Sequence, residues 1–308
     1  MSFNLITILG ATATGKTKLA ARLALEFNGE IISADSRQVY KGMNIGTGKD
    51  LDDYCIGHEK VPYHLIDIIE TDEEFNLFLF KDYFSKIFND ITTREKFPFM
   101  VGGTGLYLKA VLQNYELKKV NFNIDEYGKL KMLSLTQLRE IFLAMNIKAH
   151  NTTDFIDKER IIKAIIVNKA EEKQVEKLEQ INSLVIGIKL DRNEIKKNIT
   201  IRLKNRLNSG MIDEVIGLLS NGISFDKLNY FGLEYRYISL YLKGKLSYND
   251  MFQKLNSAIH NFAKRQMTWF RKMEREGIKI NWIDGPDFET GRKVISRNIF
   301  NTSLKNVQ

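Results

Sequence analysis

One stretch near the start of the chain constrains the fold more than any other. Its residues are Gly10, Ala11, Thr12, Ala13, Thr14, Gly15, Lys16 and Thr17. They match the pattern G-x-x-x-x-G-K-[S/T], a glycine-rich loop that joins a strand to a helix and binds phosphate. An apolar run at residues 5–9 precedes the loop, and Leu19, Leu23 and Phe27 follow it at helical spacing. The sequence therefore predicts a phosphate site between a first strand and a first helix.

The chemistry of this loop follows from its backbone and two side chains. Its N–H groups and the positive end of the helix attract phosphate oxygens. Lys16 adds a positive charge at the outer phosphate, and the Thr17 hydroxyl is a ligand for Mg²⁺. The loop serves many reactions, so it predicts a phosphate ligand without identifying the substrate.

The composition narrows the class of protein. The 308 residues are 44% hydrophobic and 27% charged, which is ordinary for a globular protein, and no apolar run approaches the ~20 residues of a membrane span. The first residues lack a basic segment before the apolar run, which disfavours a cleaved signal peptide. Cys55 is the only cysteine, and the four histidines are scattered. We expect a cytoplasmic protein without disulfides or a zinc site.

The charge is unevenly distributed along the chain. Residues 1–115 contain 12 Lys and Arg against 15 Asp and Glu, whereas residues 116–308 contain 34 against 23. A basic second part beside a phosphate-binding first part suggests a polyanionic partner, although a solvated basic surface has the same composition.

Two further strand ends carry polar or glycine-rich residues. Asp35 follows the predicted strand at 30–34, and Gly102-Gly103-Thr104 follows the predicted strand at 97–101. In doubly wound sheets the functional residues lie beyond the carboxyl ends of the strands, so Asp35 should face the same crevice as the phosphate loop. Asp35 and Ser36 could instead only cap the next element. The glycine-rich residues 42–49 are either a substrate-contacting loop or a connector.

The middle and the end of the chain have a different pattern. Strand signals fade from residue 116 to about 181, and helical patterns at 134–145 and 157–172 predict a helical insertion. A strand is predicted at 183–190, followed by a basic helix. Residues 263–272 mix basic and aromatic side chains on one helix, which suits nucleic acid but also a helix with one apolar face. The remainder from residue 285 is predicted to be peripheral.

Five stretches, in this order, resemble the tRNA dimethylallyltransferase (isopentenyltransferase) family. They lie at 10–17, 32–43 (Ile-Ser-Ala-Asp-Ser-Arg-Gln-Val-Tyr-Lys-Gly-Met), 61–67 (Val-Pro-Tyr-His-Leu-Ile-Asp), 101–107 (Val-Gly-Gly-Thr-Gly-Leu-Tyr) and 263–270 (Ala-Lys-Arg-Gln-Met-Thr-Trp-Phe). The likeness extends to about residue 284. The blocks containing Asp-Ser-Arg-Gln and Gly-Gly-Thr-Gly-Leu-Tyr are its most specific parts.

The resemblance implies transfer of a dimethylallyl group from dimethylallyl diphosphate to N6 of the adenosine 3′ to a tRNA anticodon, in tRNAs that read codons starting with U. It implies that residues 10–17 bind the diphosphate or a nucleotide, with Lys16, Thr17 and Asp35 catalytic, Mg²⁺ held through Thr17, and Asp35 as the general base. A helical insertion that grips the anticodon stem-loop and a monomeric state are also expected. The tRNA contacts that the resemblance implies are Asp35, Ser36, Arg37, Gln38, Thr104, Glu159, Arg160, Ile161, Ile162, Lys163, His260, Lys264 and Arg265.

The sequence departs from the family pattern at two positions. Asn229 stands where the family usually has an arginine thought to bind diphosphate, and His260 also replaces an arginine. A neutral amide cannot supply the missing charge. A divergent, weakly active paralogue that binds tRNA therefore stays open. A P-loop kinase of a small metabolite also stays open, because its phosphate loop would look the same.

The fold class that we predict is α/β, a mostly parallel P-loop sheet flanked by helices and interrupted by a small helical insertion. The predicted core comprises residues 1–117 and 182–284, the insertion residues 118–181, and the peripheral tail residues 285–308.

Overall fold

A six-stranded parallel sheet forms the centre of the larger part of the chain. The structure, a computed structural model, describes residues 3–115, 117, 124–145, 157–169 and 180–303. The strand order is β5-β2-β6-β1-β7-β8, and every neighbouring pair is parallel. The strands are β1 (Leu5–Gly10), β2 (Gly29–Ala34), β3 (Cys55–Ile56), β4 (Glu59–Lys60), β5 (Tyr63–His64), β6 (Phe97–Gly102), β7 (Ser183–Lys189) and β8 (Ile280–Asp284), of which β3 and β4 form a separate antiparallel pair.

The chain also contains α-helices, and those of its larger part cover both faces of the sheet. They are α1 (Lys16–Glu26), α2 (Leu77–Thr93), α3 (Gly105–Leu112), α4 (Ile124–Met132), α5 (Leu135–Ala144), α6 (Lys158–Lys169), α7 (Arg192–Asn208), α8 (Met211–Ser220), α9 (Phe225–Phe231), α10 (Leu233–Leu242), α11 (Tyr248–Arg275) and α12 (Phe288–Ser303). Local chemistry sets several of their starts: the side chains of Asn76, Ser134 and Asp191 accept N–H bonds from the first turns of α2, α5 and α7.

The parallel sheet is buried on both faces. All residues of β1 and β2 are buried, as expected for strands covered by helices on both faces. One hydrophobic cluster joins the sheet to α2, α3 and α7–α11, and a second joins it to α1 and α12. The predicted α/β architecture is confirmed.

The end of the chain packs more closely than the sequence suggests. Residues from 285 are predicted to be peripheral, but α12 lies against α1, with Ile295 fully buried and Gly291 close to Leu23. The short amphipathic pattern of this segment is typical of a helix that covers one side of a sheet. The helix α12 therefore belongs to the packed unit.

The stretch after Val61 forms only a short strand. Only Tyr63–His64 pair as a strand, because Leu65 and Asp67 adopt left-handed conformations with φ of 63° and 54°. Such residues cannot continue an extended strand.

The chain divides into two compact units, Met1–Asn114 with Leu178–Gln308, and Tyr115–Lys177. The smaller unit contains α4, α5 and α6, which pack around Leu138, Phe142, Ile161 and Ile165. A helical insertion is observed here, as predicted. Across the described residues, no helix has the length and apolar character needed to cross a membrane.

Candidate active site

Three adjacent strands end at the same edge of the sheet and carry the predicted site residues there. Since β6 lies between β1 and β2, the loops that follow these strands meet beyond their carboxyl ends. They contain the phosphate loop after β1, Asp35 after β2, and Thr104 after β6.

The phosphate loop contains two residues in the left-handed conformation. Gly15 adopts a φ of 77° at the start of α1, and Ala13 is also left-handed, with a φ of 62°. The Thr14 hydroxyl donates to the Ala11 carbonyl at 2.8 Å, and Lys16 Nζ donates to the same carbonyl at 3.4 Å. Because Gly15 has no side chain to cap the helix, the first N–H groups of α1 remain available to an anion.

A buried glutamine joins the phosphate loop to the β6 loop. Gln266 on α11 is 5% exposed. Its side-chain oxygen accepts a bond from the Thr12 N–H at 2.8 Å, and its Nε2 donates to the Gly103 carbonyl at 2.9 Å. A Cβ at position 103 would lie 2.3 Å from that Nε2, so the glycine is needed for this approach. Gln266 was not among the predicted site residues.

Asp35 is positioned by its own turn. One carboxylate oxygen accepts the Arg37 N–H at 2.9 Å, and the neighbouring Ser36 N–H donates to Thr104 Oγ1 at 3.3 Å. Asp35 does not cap a helix, because none begins between β2 and residue 51; its side chain instead closes a local turn. This turn leaves Asp35 half-buried and able to accept a proton as well.

Gln38 is engaged within the protein. Its amide oxygen accepts a bond from the Ser33 hydroxyl at 3.1 Å, and its Nε2 donates to the Gly48 carbonyl at 3.0 Å. In this arrangement Gln38 fixes the loop at 42–49.

That loop is also fixed from other sides. The Glu214 carboxylate accepts N–H bonds from Asn44, Ile45 and Gly46 at 2.7, 2.7 and 3.0 Å, and from the Tyr235 hydroxyl at 2.8 Å. The buried Lys49 forms an ion pair with Asp67. These bonds pair the polar groups of the loop within the protein.

Positive charge accumulates around Lys16. Burial, together with the positive charges of Arg202 and Arg206, lowers the pKa of Lys16 to about 8, against the opposing effect of Asp35. Lys16 therefore lies within electrostatic range of both arginines and of Asp35. The two arginines are on α7 and were predicted only as part of a basic helix.

Asn229 lies beside an aromatic residue that contacts Arg37. Asn229 itself is exposed on α9. Its neighbour Tyr230 lies under Arg37, with the guanidinium carbon 4.8 Å from the ring centre. Arg236, which follows on α10, lines a surface groove of about 550 Å³ with Arg265 and Lys254.

The other predicted tRNA contacts lie at two places. His260 bonds the Lys196 carbonyl at 3.3 Å, and Lys264 and Arg265 are exposed on the same helix, α11.

In the smaller unit, Glu159, Arg160 and Lys163 are on the surface of α6, whereas Ile161 and Ile162 are fully buried in its core. The side chains of these two isoleucines are therefore committed to packing.

Acidic and histidine side chains form no metal cluster: among the described residues, no three of His, Cys, Asp and Glu gather where they could hold an ion. A lone Thr17 hydroxyl suits Mg²⁺, which commonly binds through one or two protein ligands, substrate phosphates and water.

The chain is similar to a family of known proteins. The model of a family described as IPP transferase matches residues 38–273, and a model described as isopentenyl transferase matches residues 3–67. A protein of Syntrophus aciditrophicus named tRNA dimethylallyltransferase 1 is 48% identical over 97% of this chain and 99% of its own. A protein of the same name from Geotalea daltonii is 51% identical over 92% of each chain.

A solved structure is also similar. The full-length tRNA isopentenylpyrophosphate transferase of Bacillus halodurans is 30% identical, with a TM-score of 0.68 over 97% of this chain and 96% of that one.

Proposed function

Because the chain belongs to the IPP transferase family, we propose that it transfers a dimethylallyl group from dimethylallyl diphosphate to N6 of the adenosine 3′ to the anticodon of tRNA. The acceptor tRNAs in this proposal are those that read codons starting with U. We also propose that the enzyme is monomeric and cytoplasmic.

The observation that carries the proposal is the proximity of Asp35 to Lys16 at one edge of the sheet. Phosphate transfer needs the lysine and its loop. Alkylation of an amine additionally needs a proton acceptor beside the leaving group, which a carboxylate supplies.

The reaction requires one bond to break and one to form. The bond between C1 of the prenyl group and the diphosphate oxygen breaks, and the diphosphate leaves with the electron pair. The loop N–H groups and Lys16 stabilise its growing negative charge. N6 bonds to C1, and Asp35 accepts the proton that N6 loses. Mg²⁺ held through Thr17 would add positive charge at the diphosphate.

The adenine has to leave its stack to reach this edge, since its N6 is enclosed in an ordered anticodon loop. Ser36 and Arg37, next to Asp35, are suited to hold the displaced base and its backbone. The exposed cations Lys264 and Arg265 on α11 suit RNA phosphates. Glu159, Arg160 and Lys163 are the surface residues of the smaller unit that we assign to the same RNA.

One alternative keeps support from a specific residue. Asn229 is exposed and neutral, which favours a weakly active paralogue that retains tRNA binding. A small-metabolite kinase has less support, since it does not need Asp35 or the basic face of α11.

The experiment that tests the proposal incubates the purified protein with Mg²⁺, dimethylallyl diphosphate and an unmodified tRNA that reads codons starting with U. Mass spectrometry of the digested nucleosides should detect an adenosine heavier by one dimethylallyl group. An unmodified tRNA that reads other codons is the control, and we expect no product from it. Bound but unmodified tRNA would support the paralogue, and turnover of ATP without prenyl transfer would support the kinase.

A further inference from the structure

A single aromatic ring holds the Arg37 guanidinium, two residues after the proposed base Asp35. The guanidinium carbon lies 4.8 Å from the centre of the Tyr230 ring on α9. Within the described part of the chain, no side chain or carbonyl forms a hydrogen bond or an ion pair with this guanidinium. Its N–H donors are therefore available to an acceptor that the protein does not supply.

The residue after Tyr230 anchors the end of α9 in the core. Phe231 is buried and packs edge-on against the Tyr40 ring, with 4.9 Å between the ring centres. The Tyr40 hydroxyl in turn accepts the Phe75 N–H at 3.1 Å. Burial raises the pKa of Tyr40, and the Tyr230 hydroxyl also raises it, so the two hydroxyls are neighbours. The direction of Tyr230 is therefore set by buried groups.

The start of α9 is also tied to its surroundings. The Ser224 hydroxyl caps the helix by accepting the Lys227 N–H at 3.1 Å. Lys227 Nζ donates to the carbonyls of Asp72 and Glu73 at 3.1 and 3.3 Å, and it lies 5.6 Å from the centre of the Tyr230 ring. Contacts at both ends of this short helix thus fix the ring that Arg37 contacts.

Tyr230 lies at the crevice that contains Asp35. Its side is open there, since Tyr230 is 36% exposed. Burial raises the pKa of Tyr107 on α3, and the nearby Tyr230, Arg37 and Asp35 also act on that hydroxyl. The three residues therefore surround the same place, beyond the carboxyl ends of β2 and β6.

A guanidinium group has two separate binding surfaces. Its flat face stacks on an aromatic ring, and its N–H groups point outward in the plane of the group. The ring contact therefore leaves the edge of the guanidinium open to phosphate or base oxygens. An arginine held in this way is fixed before its ligand binds, so less conformational freedom is lost on binding.

We propose that Tyr230 is a positioning residue, which holds the Arg37 guanidinium beside Asp35 so that its N–H edge binds the RNA at the displaced adenosine. This inference rests on the proposed function. It gives the segment that contains the exposed Asn229 a role through a ring instead of a charge. A base stacked directly on the Tyr230 ring is the competing arrangement, and the test separates the two.

The test measures binding of a labelled, unmodified anticodon stem-loop RNA by fluorescence anisotropy, without prenyl donor. Tyr230→Leu should weaken binding about two- to fivefold, the range expected for a partly exposed contact between a cation and a ring. Tyr230→Phe retains the ring and should keep most of the affinity. The matched control is Tyr248→Leu, at an exposed tyrosine on α11 whose ring contacts Tyr241, and it should bind as the unchanged protein does.

A double-mutant cycle shows whether Tyr230 acts through Arg37. Arg37→Gln should itself weaken RNA binding, and adding Tyr230→Leu to it should cause no further loss. In steady-state assays Tyr230→Leu should raise the KM for RNA and leave the KM for dimethylallyl diphosphate unchanged. Thermal unfolding checks that the variants fold, and Tyr230→Met, which also lacks the ring, replaces the leucine variant if that one does not.

Three results would overturn the inference. The first is unchanged RNA affinity in a folded Tyr230→Leu or Arg37→Gln protein. The second is an equal loss from Tyr230→Leu with and without Arg37, which direct base stacking or a purely structural role would give. The third is a Tyr230→Phe protein as weak as Tyr230→Leu, because the hydroxyl and not the ring would then be responsible.

The outcome is separable from that of the proposed function, because RNA binding is measured without the donor. Coupled effects of Tyr230 and Arg37 on RNA affinity, without any prenylated adenosine, would uphold the positioning role and reject the reaction. Prenyl transfer with RNA binding that does not depend on Tyr230 would do the reverse.

Discussion

The backbone N–H of Thr12 in the phosphate loop donates to the side chain of Gln266, 2.8 Å away on α11. The same amide bonds the Gly103 carbonyl, so one side chain sets the spacing between the loops after β1 and β6. A site that binds a diphosphate between such loops depends on that spacing.

Gln266→Leu should therefore impair both stability and activity. It leaves two buried backbone groups without partners, which costs about 1–3 kcal/mol each in the free energy of unfolding. Urea unfolding and the affinity for inorganic diphosphate are the measurements. The control is Gln253→Leu, at an exposed position on the same helix. If both variants behaved alike, the bridge would have no functional importance.

Asp35→Ala should abolish prenyl transfer while leaving diphosphate binding nearly intact. Loss of a general base typically lowers the rate about 10²–10⁴-fold. Single-turnover formation of prenylated adenosine measures the rate, and calorimetry measures the binding. Near-normal turnover in this variant would refute the assignment of Asp35 as the base.

Lys16→Ala should weaken diphosphate binding as well as transfer, because Lys16 acts on the leaving group before and during the reaction. The same two measurements distinguish it from Asp35→Ala. An equal diphosphate affinity in both variants would contradict the separate roles.

Glu30 should make stability depend on pH in the acid range. Its buried carboxylate accepts bonds from Arg94 Nη2 at 2.9 Å and from His64 at 2.8 Å. The bonds from Arg94 first and from His64 second lower its pKa from 4.5 to about 2, against the opposing effect of burial. The folded state thus holds this proton less tightly than the unfolded state. The stabilisation is present above pH 4.5 and lost as the pH falls towards 2.

The variant Glu30→Gln tests this dependence. We expect it to cost about 1–3 kcal/mol of unfolding free energy at pH 7. The difference from the unchanged protein should shrink in urea titrations at pH 4 and pH 3. A difference that stayed constant with pH would show that packing, and not the charge, stabilises this position.

Ile295→Ala should destabilise the protein by about 2–4 kcal/mol, because it opens a cavity between α12 and the sheet. The matched control is Ile201→Ala, since Ile201 is 46% exposed and buries little surface. Thermal unfolding compares the two. Equal melting temperatures would mean that the last helix contributes no packing energy.

Local patterns predicted the parts of the site that are contiguous in sequence. The phosphate loop, Asp35 and the Gly102–Gly103 turn each follow a buried strand, so period and glycine content were sufficient. Gln266 could not be placed, because its partner Thr12 lies on the first strand's loop and no local rule joins them.

The sequence contained a pattern that could have placed Arg202 and Arg206 near the protein interior. Ile199, Leu203 and Leu207 on α7 are buried. They directly follow Asn198, Arg202 and Arg206 in the sequence. The two arginines therefore lie next to the buried apolar stripe of the helix. Fully solvated cations lie on the opposite face of an amphipathic helix. The sequence does not show which element of the fold this apolar stripe contacts.

The position of β1 in the sheet has a consequence for synthesis of the chain. Its two neighbours are β6, made before residue 115, and β7, made only after residue 182. While the ribosome produces the intervening smaller unit, the nascent sheet has an open edge along β1, a strand whose residues are all buried in the finished fold. Premature pairing of that edge with another nascent chain is the hazard, and translation speed through residues 115–182 sets how long it lasts.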